Sequence, residues 1–586
     1  MANESFSNTP VVTVNGNALP ADLAAMLSLA YVDDSRNLPD VFVLRFRDPG
    51  SIVLKKAGFA IGVKVKVSVQ TAEPGGPKDL IEGEVTALEL DLDPTGTITE
   101  VRGQDVAHRL FRGRRVAAYP GMSLGDVVRK VAQRAKVDIG KVDNVPGVGA
   151  GKDGQLSQNN VSDWEFLSQL ADLVGAHLAV EEGKLCFQLP EPPAKAPTTD
   201  AKATTSPLVL EAHRNLVSLR ATVRASNQVP TVEAYGWDME HKQAVTATAT
   251  PRTPGMEVPG AKPTEIAAKV GAPPLRAADP AWQTTETVKA VATSLADQLG
   301  GSAVELDGVA KGNPSLRAGA AVALTNVGEP FTGKYVLTQT RHTFSPTDGY
   351  RTMFTVAGRA ERSLYDLSGG GAGGGLPAEV MSGLVPGLVS DIKDPRKLGR
   401  VKVTFPWLDK EYVTGWARVV QPGAGASRGA LVLPEVKDEV LVGFAHGDPD
   451  NAYVLGGMHN GTDKPPKLET EPVDGGSGAV AVRGFVSRKG HSIQFIEDGG
   501  VLIATGDGKL SVRLDVKSGT VEAKGDQIKL TATKTVEIKG PNGVKIDAGS
   551  GALDMKGMTA SLAGQSKTDV KASGPVTVSG TPIKLN

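Results

Sequence analysis

Two segments of this 586-residue chain have residue types and spacing that could support chemistry. Residues 147–154 read GVGAGKDG and superficially resemble a phosphate-binding loop. A Walker loop needs a glycine five residues before its Gly-Lys pair and a serine or threonine directly after it. Those two places hold Pro146 and Asp153 here. We therefore expect an ordinary surface loop and no bound nucleotide or other cofactor.

A second segment carries imidazole and carboxylate groups, which are typical metal ligands. His446, Asp448 and Asp450 lie close together, but no second histidine or carboxylate follows at a spacing that completes a closed site. The GDPD run at 447–450 predicts a turn instead. His491 stands alone, since no His-x-His occurs and no histidine follows it. We expect no metal bound by this chain.

A catalytic nucleophile is not evident from the sequence. Cys186 is the one cysteine, and it lies in the strand-like run KLCFQL, so we expect a core thiol. We predict no catalytic residue, and we expect that the protein is not an enzyme.

Composition excludes several function classes. The chain has 64 basic and 65 acidic residues and a net charge of −1, which gives no general attraction to nucleic acid or anionic membranes. A single cysteine cannot form an internal disulfide and fits a reducing compartment. The first residues, MANESFSNTP, show no signal peptide, so we expect assembly in the cytoplasm. Abundant glycine and proline, with 5% aromatics, favour short strands and turns.

Alternating apolar and polar residues predict a chain that is mainly β with minor α. Capping signals predict helices that begin after Ser123 and Ser162. An apolar stripe predicts a third helix from Thr284 to Leu299. The divisions we expect are a β-barrel (1–116), an α/β region (117–190), a Pro/Ala/Thr-rich linker (191–207), a second β-barrel with a helical insertion (208–366), a Gly-rich linker (367–386), an OB-type barrel of about five strands (387–465) and a C-terminal repeat (480–586).

In the OB-type region, Val401, Val403 and Phe405 alternate with polar residues and should face a core, and Pro406 should end their strand. Trp407, Trp416 and Phe444 are the large residues available for that core. The region lacks an aromatic stacking row, so we expect no nucleic-acid binding.

The C-terminal region repeats a short unit that ends in glycine. Examples are VEAKG (521–525), VEIKG (536–540), VKIDAG (544–549), LDMKG (553–557), ASLAG (560–564) and VTVSG (576–580). The residues on one side of each strand are mostly Val, Ile, Leu and Ala, too small to fill a core within one chain. The pattern predicts an intertwined triple-stranded β-helix built by three chains. A single-chain β-solenoid and a flexible tail remain as alternatives. Four lysines, Lys529, Lys534, Lys539 and Lys545, occupy outward positions and form a solvated face.

Four stretches carry a family resemblance. DIKDPRKLGRVKVTFPW (391–407), GWARVVQPGAG (415–425), LPEVKDEVLVGFAHGDPDNAYVLGGMHN (433–460) and GHSIQFIEDGG (490–500) resemble the VgrG spike family, which is similar to the hub and spike proteins of contractile phage tails. Residues 20–50 look more like spikes of phage-tail-like extracellular injection systems than like type VI secretion spikes. The resemblance covers essentially the whole chain.

The resemblance implies a homotrimeric central spike of a contractile injection system. Its hub, formed by the two barrels and the α/β region, would join a six-fold inner tube to a three-fold piercing rod, because two barrels in each of three chains give six similar lobes. The implied partners are other copies of the chain, inner tube and baseplate proteins, and a PAAR-type tip protein or cargo. The membrane would be touched only during puncture, and the particle could be released from the cell. The tip protein would bind at Thr581, Pro582, Ile583, Lys584, Leu585 and Asn586.

Three other interpretations remain open. They are a type VI spike that carries a toxin or hydrolase, a phage baseplate hub protein, and a receptor- or glycan-binding fibre. Some spike relatives carry an enzyme between the OB barrel and the rod, where residues 461–480 leave no space for one, or after the rod, where the sequence still shows the repeat. A fibre does not need a six-lobed hub.

Overall fold

The computed structural model describes residues 8–71, 76–94, 96–146, 148, 155–238, 241, 243–279, 282–357, 383–409 and 411–584. Nearly all of the 147–154 loop and most of the predicted Gly-rich linker (367–382) lie outside these residues. The chain divides into two compact units, Met1–Lys464 (unit 1) and Pro465–Asn586 (unit 2). The described structure is mostly β with few helices, as predicted.

The first part of unit 1 contains β1 (Thr9–Val14), β2 (Asn17–Ala18), α1 (Ala21–Ala24), β3 (Leu27–Ser35), β4 (Val41–Arg47), α2 (Val53–Ala57), β5 (Lys64–Gln70), β6 (Lys78–Asp93), β7 (Gly96–Gln104), a 3-10 helix (Val106–Phe111), β8 (Arg115–Pro120), α3 (Leu124–Ala135), β9 (Asp138–Val142), β10 (Gln155–Val161), α4 (Asp163–Val174), β11 (His177–Glu181) and β12 (Lys184–Gln188).

The middle part contains β13 (Val209–Glu211), β14 (Leu216–Val223), β15 (Val232–Asp238), β16 (Gln243–Ala249), β17 (Met256–Glu257), α5 (Pro263–Val270), β18 (Leu275–Ala278), α6 (Thr285–Gly301), β19 (Val304–Lys311), β20 (Ala321–Thr325), β21 (Gly333–Val336), β22 (Gln339–Ser345) and β23 (Gly349–Val356).

Unit 1 ends with β24 (Leu384–Asp391), β25 (Lys402–Thr404), β26 (Arg418–Val419), β27 (Ala424–Gly425), β28 (Arg428–Gly429), β29 (Glu439–Phe444), a short 3-10 helix (Ala445–Gly447) and β30 (Ala452–Gly457). Unit 2 contains β31 (Val482–Val486), β32 (Ser492–Ile496), β33 (Gly500–Ala504), β34 (Ser511–Asp515) and β35 (Thr520–Lys524).

Seven strands of the first predicted barrel and four strands of the second share one eleven-stranded sheet. Its order is β14-β19-β23-β22-β3-β4-β7-β6-β5-β1-β2. The joint is the antiparallel pairing of β22 with β3, from Gln339 opposite Ser35 to Phe344 opposite Ala30. The pairing joins the predicted barrel regions 1–116 and 208–366 through one sheet, while each region keeps a hydrophobic core largely its own. Alternation along β3 shows that it is a strand, but it carries no information about which distant strand pairs with its edge.

The helices begin where capping chemistry predicts. Ser123 and Ser162 accept hydrogen bonds from the amides three residues later, and Glu165 completes the capping box at α4. Thr284 caps α6 in the same way. The apolar stripes of α3 and α4 are buried in one core with Trp164. These helices and the small sheets β10-β8 and β11-β12-β9 make up the α/β region.

The OB-type region forms a five-stranded sheet in the order β25-β24-β29-β30-β26. Val401, Val403 and Phe405 are buried as predicted, and β25 ends before Pro406. The prediction that Trp407 belongs to the core is wrong, because its side chain is 54% exposed and its Nε1 donates to the carbonyl of Pro386.

Trp416 is likewise not a buried core residue. Its ring lies under the cations of Arg400 and Lys402, at 5.9 and 5.2 Å from the ring centroid. Tyr412, fully enclosed beside Phe405, fills the volume assigned to the tryptophans. The third predicted residue, Phe444, does pack against this core.

Candidate functional site

Unit 2 has an apolar sheet face with two aligned rows of side chains. Its five strands pair antiparallel in chain order, so residues opposite one another point to the same side. The first row consists of Phe485, Ile493, Ile503, Val512 and Ala523, and the second of Arg483, Phe495, Val501, Leu514 and Val521. We call the nine apolar residues of these two rows the apolar face.

The apolar face is open to solvent in the single chain. Phe485 is 68% exposed, Phe495 49% and Val521 76%. Within the described part of unit 2, Val482 and Ile496 are the only buried apolar side chains. A contiguous exposed apolar patch of this kind marks an interaction surface, because leaving it in water forfeits the main driving force of folding.

The opposite face of the same sheet mixes polar with apolar residues, among them Gln494 and the buried Val482 and Ile496, and is partly covered by its own chain. The amide of Glu469 donates to Gln494 Oε1 at 2.9 Å, and the Glu469 carboxylate pairs with Arg513. The segment before β31 therefore covers part of this opposite face and leaves the apolar face uncovered.

The repeats beyond β35 have no core of their own. All residues of 526–584 are exposed except Gly540, and no strand is assigned in this segment. Val536 and Val544 are each 53% exposed, although their positions in the repeat predict inward side chains. Burial within one chain does not stabilise this segment, and its β-helix remains a prediction.

The predicted tip residues fall at the end of the described structure. Thr581 to Lys584 are exposed, with Ile583 48% exposed, whereas Leu585 and Asn586 lie outside the described residues. In the described part, the apolar surface available to a tip protein is therefore that of Ile583.

The DPRKLGR segment forms a loop built around one carboxylate. Asp394 accepts hydrogen bonds from the amides of Arg396, Leu398 and Arg400 at 3.0, 2.8 and 3.2 Å, and from the Arg400 guanidinium at 2.7 Å. Burial alone would raise the pKa of Asp394, but these hydrogen bonds outweigh it and hold that pKa well below its usual range. The loop fixes the start of β25.

The GDPD turn connects the OB-type sheet to the α/β region. Asp450 accepts the amide hydrogen of Ser157 in β10 at 3.1 Å. Tyr412 Oη lies 3.2 Å from Ser157 Oγ, and Gln155 Nε2 donates to the carbonyl of Val413 at 3.2 Å. Burial, together with the second carboxylate of the turn, raises the pKa of Asp450 well above its usual value. The predicted turn is therefore also a joint between two parts of unit 1.

Other chemically interesting side chains have structural roles. Cys186 is buried, and burial raises the pKa of its thiol. His491 Nδ1 accepts the amide hydrogen of Gly506 in a turn. GxSxG pentapeptides occur at 121–125 and 425–429, but Ser123 caps α3 and Ser427 lies in the β27–β28 hairpin, neither on a strand-to-helix elbow.

Among the described residues, no group of three or more His, Cys, Asp or Glu side chains is arranged to hold a metal ion. No helix in this part of the chain has the length and apolar character needed to cross a bilayer.

Residues 385–459 match the family profile described as the type VI secretion system/phage-baseplate injector OB domain. Over these residues the chain is similar to the OB domain of contractile injector spikes. A second profile, described as the Alg8 N-terminal domain, matches residues 59–346. That range contains strands from both predicted barrels, but it begins after β3.

Curated spike proteins match over a short region of similar length. Identity is 42% over 72 residues with VgrG2a of Pseudomonas aeruginosa and 40% over 72 residues with VgrG3 of Vibrio cholerae. Each match spans 12% of this chain and only 9% or 7% of the relative. The chain thus matches under a tenth of the length of these VgrG proteins.

Solved VgrG structures share the fold over most of the chain. The Francisella PdpA–VgrG complex in its half-lidded form aligns with a TM-score of 0.51 and 8% identity, over 89% of this chain and 89% of the other. Its lidded form gives 0.51 and 9%, over 89% and 81%. At this identity the likeness establishes fold alone.

Sequence reasoning missed three functional features. The apolar face lies within the predicted 480–586 region. The apolar residues of SIQFI and GVLIA could have identified two of its strands, β32 and β33. For the hydrogen bonds to Asp394, the available sequence signal was the Asp-Pro dipeptide at 394–395, which indicates a turn but not its hydrogen-bond partners. The partner of Asp450 is Ser157, 293 residues away, and no local pattern could reveal it.

Proposed function

We propose that this chain is the non-enzymatic central spike of a contractile injection system and that it works as a homotrimer. The observation that carries the proposal is the uncovered apolar face of unit 2, followed by repeats that have no core, in a chain that also contains an injector OB domain. Two further copies would bury the surfaces that one chain leaves exposed.

Three-fold association also explains the composition of the repeats. A three-walled prism has a narrow interior, which accepts Val, Ile, Leu and Ala but no large aromatic side chain. Phe495 is the last aromatic residue in the sequence, so the segment after it meets this condition. Glycine at the end of each unit permits the tight corner between strands. Folding of the repeats would then be inseparable from association.

The partners follow from this arrangement. The large sheet of unit 1 would contribute to a hub that contacts the inner tube and baseplate proteins. The exposed end at Thr581 to Lys584, with Leu585 and Asn586, would bind a PAAR-type tip protein or cargo. We propose cytoplasmic assembly and membrane contact only during puncture, with no nucleic-acid partner and no cofactor.

The proposal of no enzymatic activity rests on the site chemistry above. Not every relative is a plain spike: one match, 39% identical over 72 residues, is the actin cross-linking toxin VgrG1 of Vibrio cholerae. The match is confined to a short region, so it does not transfer toxin activity to this chain. A toxin-associated type VI spike and a phage baseplate hub remain the alternatives.

Electron microscopy of the purified chain tests the proposed function directly. About a dozen repeat units, each adding one strand at about 4.8 Å, should give a narrow three-fold rod roughly 60 Å long after residue 500. A single-chain solenoid, or no ordered density beyond residue 500, would contradict the proposal.

Truncation after Gly580 tests the tip assignment separately. We expect the rod and the trimer to persist, because the six deleted residues follow the last repeat unit, while binding of a PAAR-type protein is lost in a pull-down. Lys584→Ala serves as the matched control, because it keeps the apolar side chains of Ile583 and Leu585. Undiminished binding by the truncated chain would show that the tip protein docks elsewhere.

A further inference from the structure

A buried acidic cluster lies where the two hub regions meet. Asp34, Asp40 and Asp105 are 6%, 5% and 2% exposed, and one cation, Arg317, reaches them from the loop between β19 and β20. We call these four residues the hub acid cluster. It lies at one end of the adjacent strands β3, β4 and β7, beside the β22–β3 joint.

Backbone hydrogen bonds hold each carboxylate in place. The amide of Ser35 donates to Asp40 Oδ1 at 3.1 Å, and the amide of Asp40 donates to Asp105 Oδ2 at 2.9 Å. Asp105 also accepts the amide hydrogen of Ala107 at 2.8 Å, capping the 3-10 helix. The two acids are therefore linked through the backbone of the turn that precedes β4.

The cation comes from the second hub region. Arg317 Nε donates to Asp34, and another of its nitrogens donates to the carbonyl of Leu80 on β6. The amide of Ala318 donates to Asp34 Oδ2 at 3.1 Å, whereas Arg317 lies 3.9 Å from Asp40. Arg317 therefore neutralises Asp34 first and Asp40 only weakly.

Charge balance requires a proton in this cluster. If all three acids were ionised, one guanidinium would leave two negative charges uncompensated and almost free of solvent, which is prohibitively costly. Burial, then the neighbouring Asp34 and Asp105, raises the pKa of Asp40 well above its usual value. Burial raises the pKa of Asp105 to about 7.

The surrounding groups do not supply the missing positive charge. Burial, and then Arg317, lowers the pKa of His342 to about 3, so that ring is neutral. Burial raises the pKa of Tyr350 well above its usual value, so the phenol is neutral too. Arg36 in the β3–β4 turn is a second cation, but three ionised acids would still outnumber two guanidinium groups. Glu84, His108 and Arg109 pair with one another beyond Asp105.

We propose that the hub acid cluster is a proton-dependent joint, in which protonation of the Asp40–Asp105 pair holds the β3–β4 turn and the Arg317 loop together. Loss of the proton places like charges side by side and weakens this joint. The device is independent of the proposed trimer and tip. It would make the hub tighter in acid than at neutral pH.

The direction in which pH changes the stability of the joint follows from thermodynamic linkage. An acid whose pKa is higher in the closed joint than in the open one stabilises the closed state at low pH. That stability declines as pH rises from the ordinary aspartate pKa of about 3.9 towards 7. Above about pH 7, where Asp105 is ionised in both states, its contribution levels off.

Hydrogen exchange of the full-length protein between pH 5 and 8 tests the joint. The exchange rates of the Ser35, Asp40 and Ala107 amides are measured, and the intrinsic rate at the same pH is divided by each measured rate to give protection. We expect their protection to fall by up to about tenfold per pH unit between pH 5 and 7 and then to flatten. The amide of Val401, bonded to Ala417 in the OB-type region, should show no such trend.

Three variants complete the test. Asp40→Asn with Asp105→Asn keeps the acceptors but cannot ionise, so the pH trend should vanish. Should this pair fail to fold, Asp105→Asn alone should show a shallower slope and lose part of the infrared band of protonated carboxylic acid. Asp79→Asn, an exposed acid near the cluster, should behave as the unsubstituted chain. A flat profile in the unsubstituted protein, or an undiminished slope in the asparagine variants, would overturn the proposal.

Discussion

A chain carrying Val536→Asp and Val544→Asp is expected to lose its trimer and to elute as a monomer in size-exclusion chromatography. Both valines are half exposed in the single chain, and the repeat places them on the side that faces the other chains. In a three-chain interior the two substitutions would bury unpaired carboxylates, at a cost of several kcal/mol per chain. The cost is multiplied by three in the assembly.

Lys545→Asp is the matched control for this experiment. It changes charge next to Val544 on the same repeat unit, but its side chain is 88% exposed and points outward in the prediction. We expect the control to remain a trimer. If the valine double variant also remained a trimer with an intact rod, the three-chain interior would be wrong.

Asp394→Ala is expected to destabilise the OB-type region by about 3–5 kcal/mol, as does removal of one partner from a buried ion pair. The change leaves the Arg400 guanidinium and three loop amides without their shared acceptor. Thermal unfolding, together with limited proteolysis near residues 391–400, measures the loss. The exposed neighbour Lys393→Ala is the control and should change stability little.

The same carboxylate gives a pH dependence of opposite sign to that of the hub acid cluster. Because the pKa of Asp394 is lower in the folded protein than in the unfolded chain, its contribution is complete above about pH 4 and declines as pH falls further. Asp394→Asn should remove that part of the acid sensitivity. An unchanged acid-unfolding profile in this variant would contradict the assigned role.

Local chemistry was predictable from sequence. Ser162 with Glu165 fixed the start of α4 because both partners of the capping box lie within four residues. Alternation at Val401, Val403 and Phe405 identified a buried strand face because that signal too lies within five consecutive residues.

Long-range partners were not predictable. The pairing of β22 with β3 joins residues about 300 positions apart, and strand alternation does not specify such a partner. Residue size alone assigned Trp407 to the OB core, whereas its indole is stable at the surface because its N–H reaches a backbone carbonyl. Asp450 and Arg317 likewise act on elements far away in sequence.

The mass of the purified chain in solution, measured by light scattering, tests the central claim most directly. The account predicts a species with three times the mass of one chain that persists on dilution, because the apolar face and the repeats are covered only in the assembly. A stable, folded monomer with an ordered C-terminal unit would contradict it.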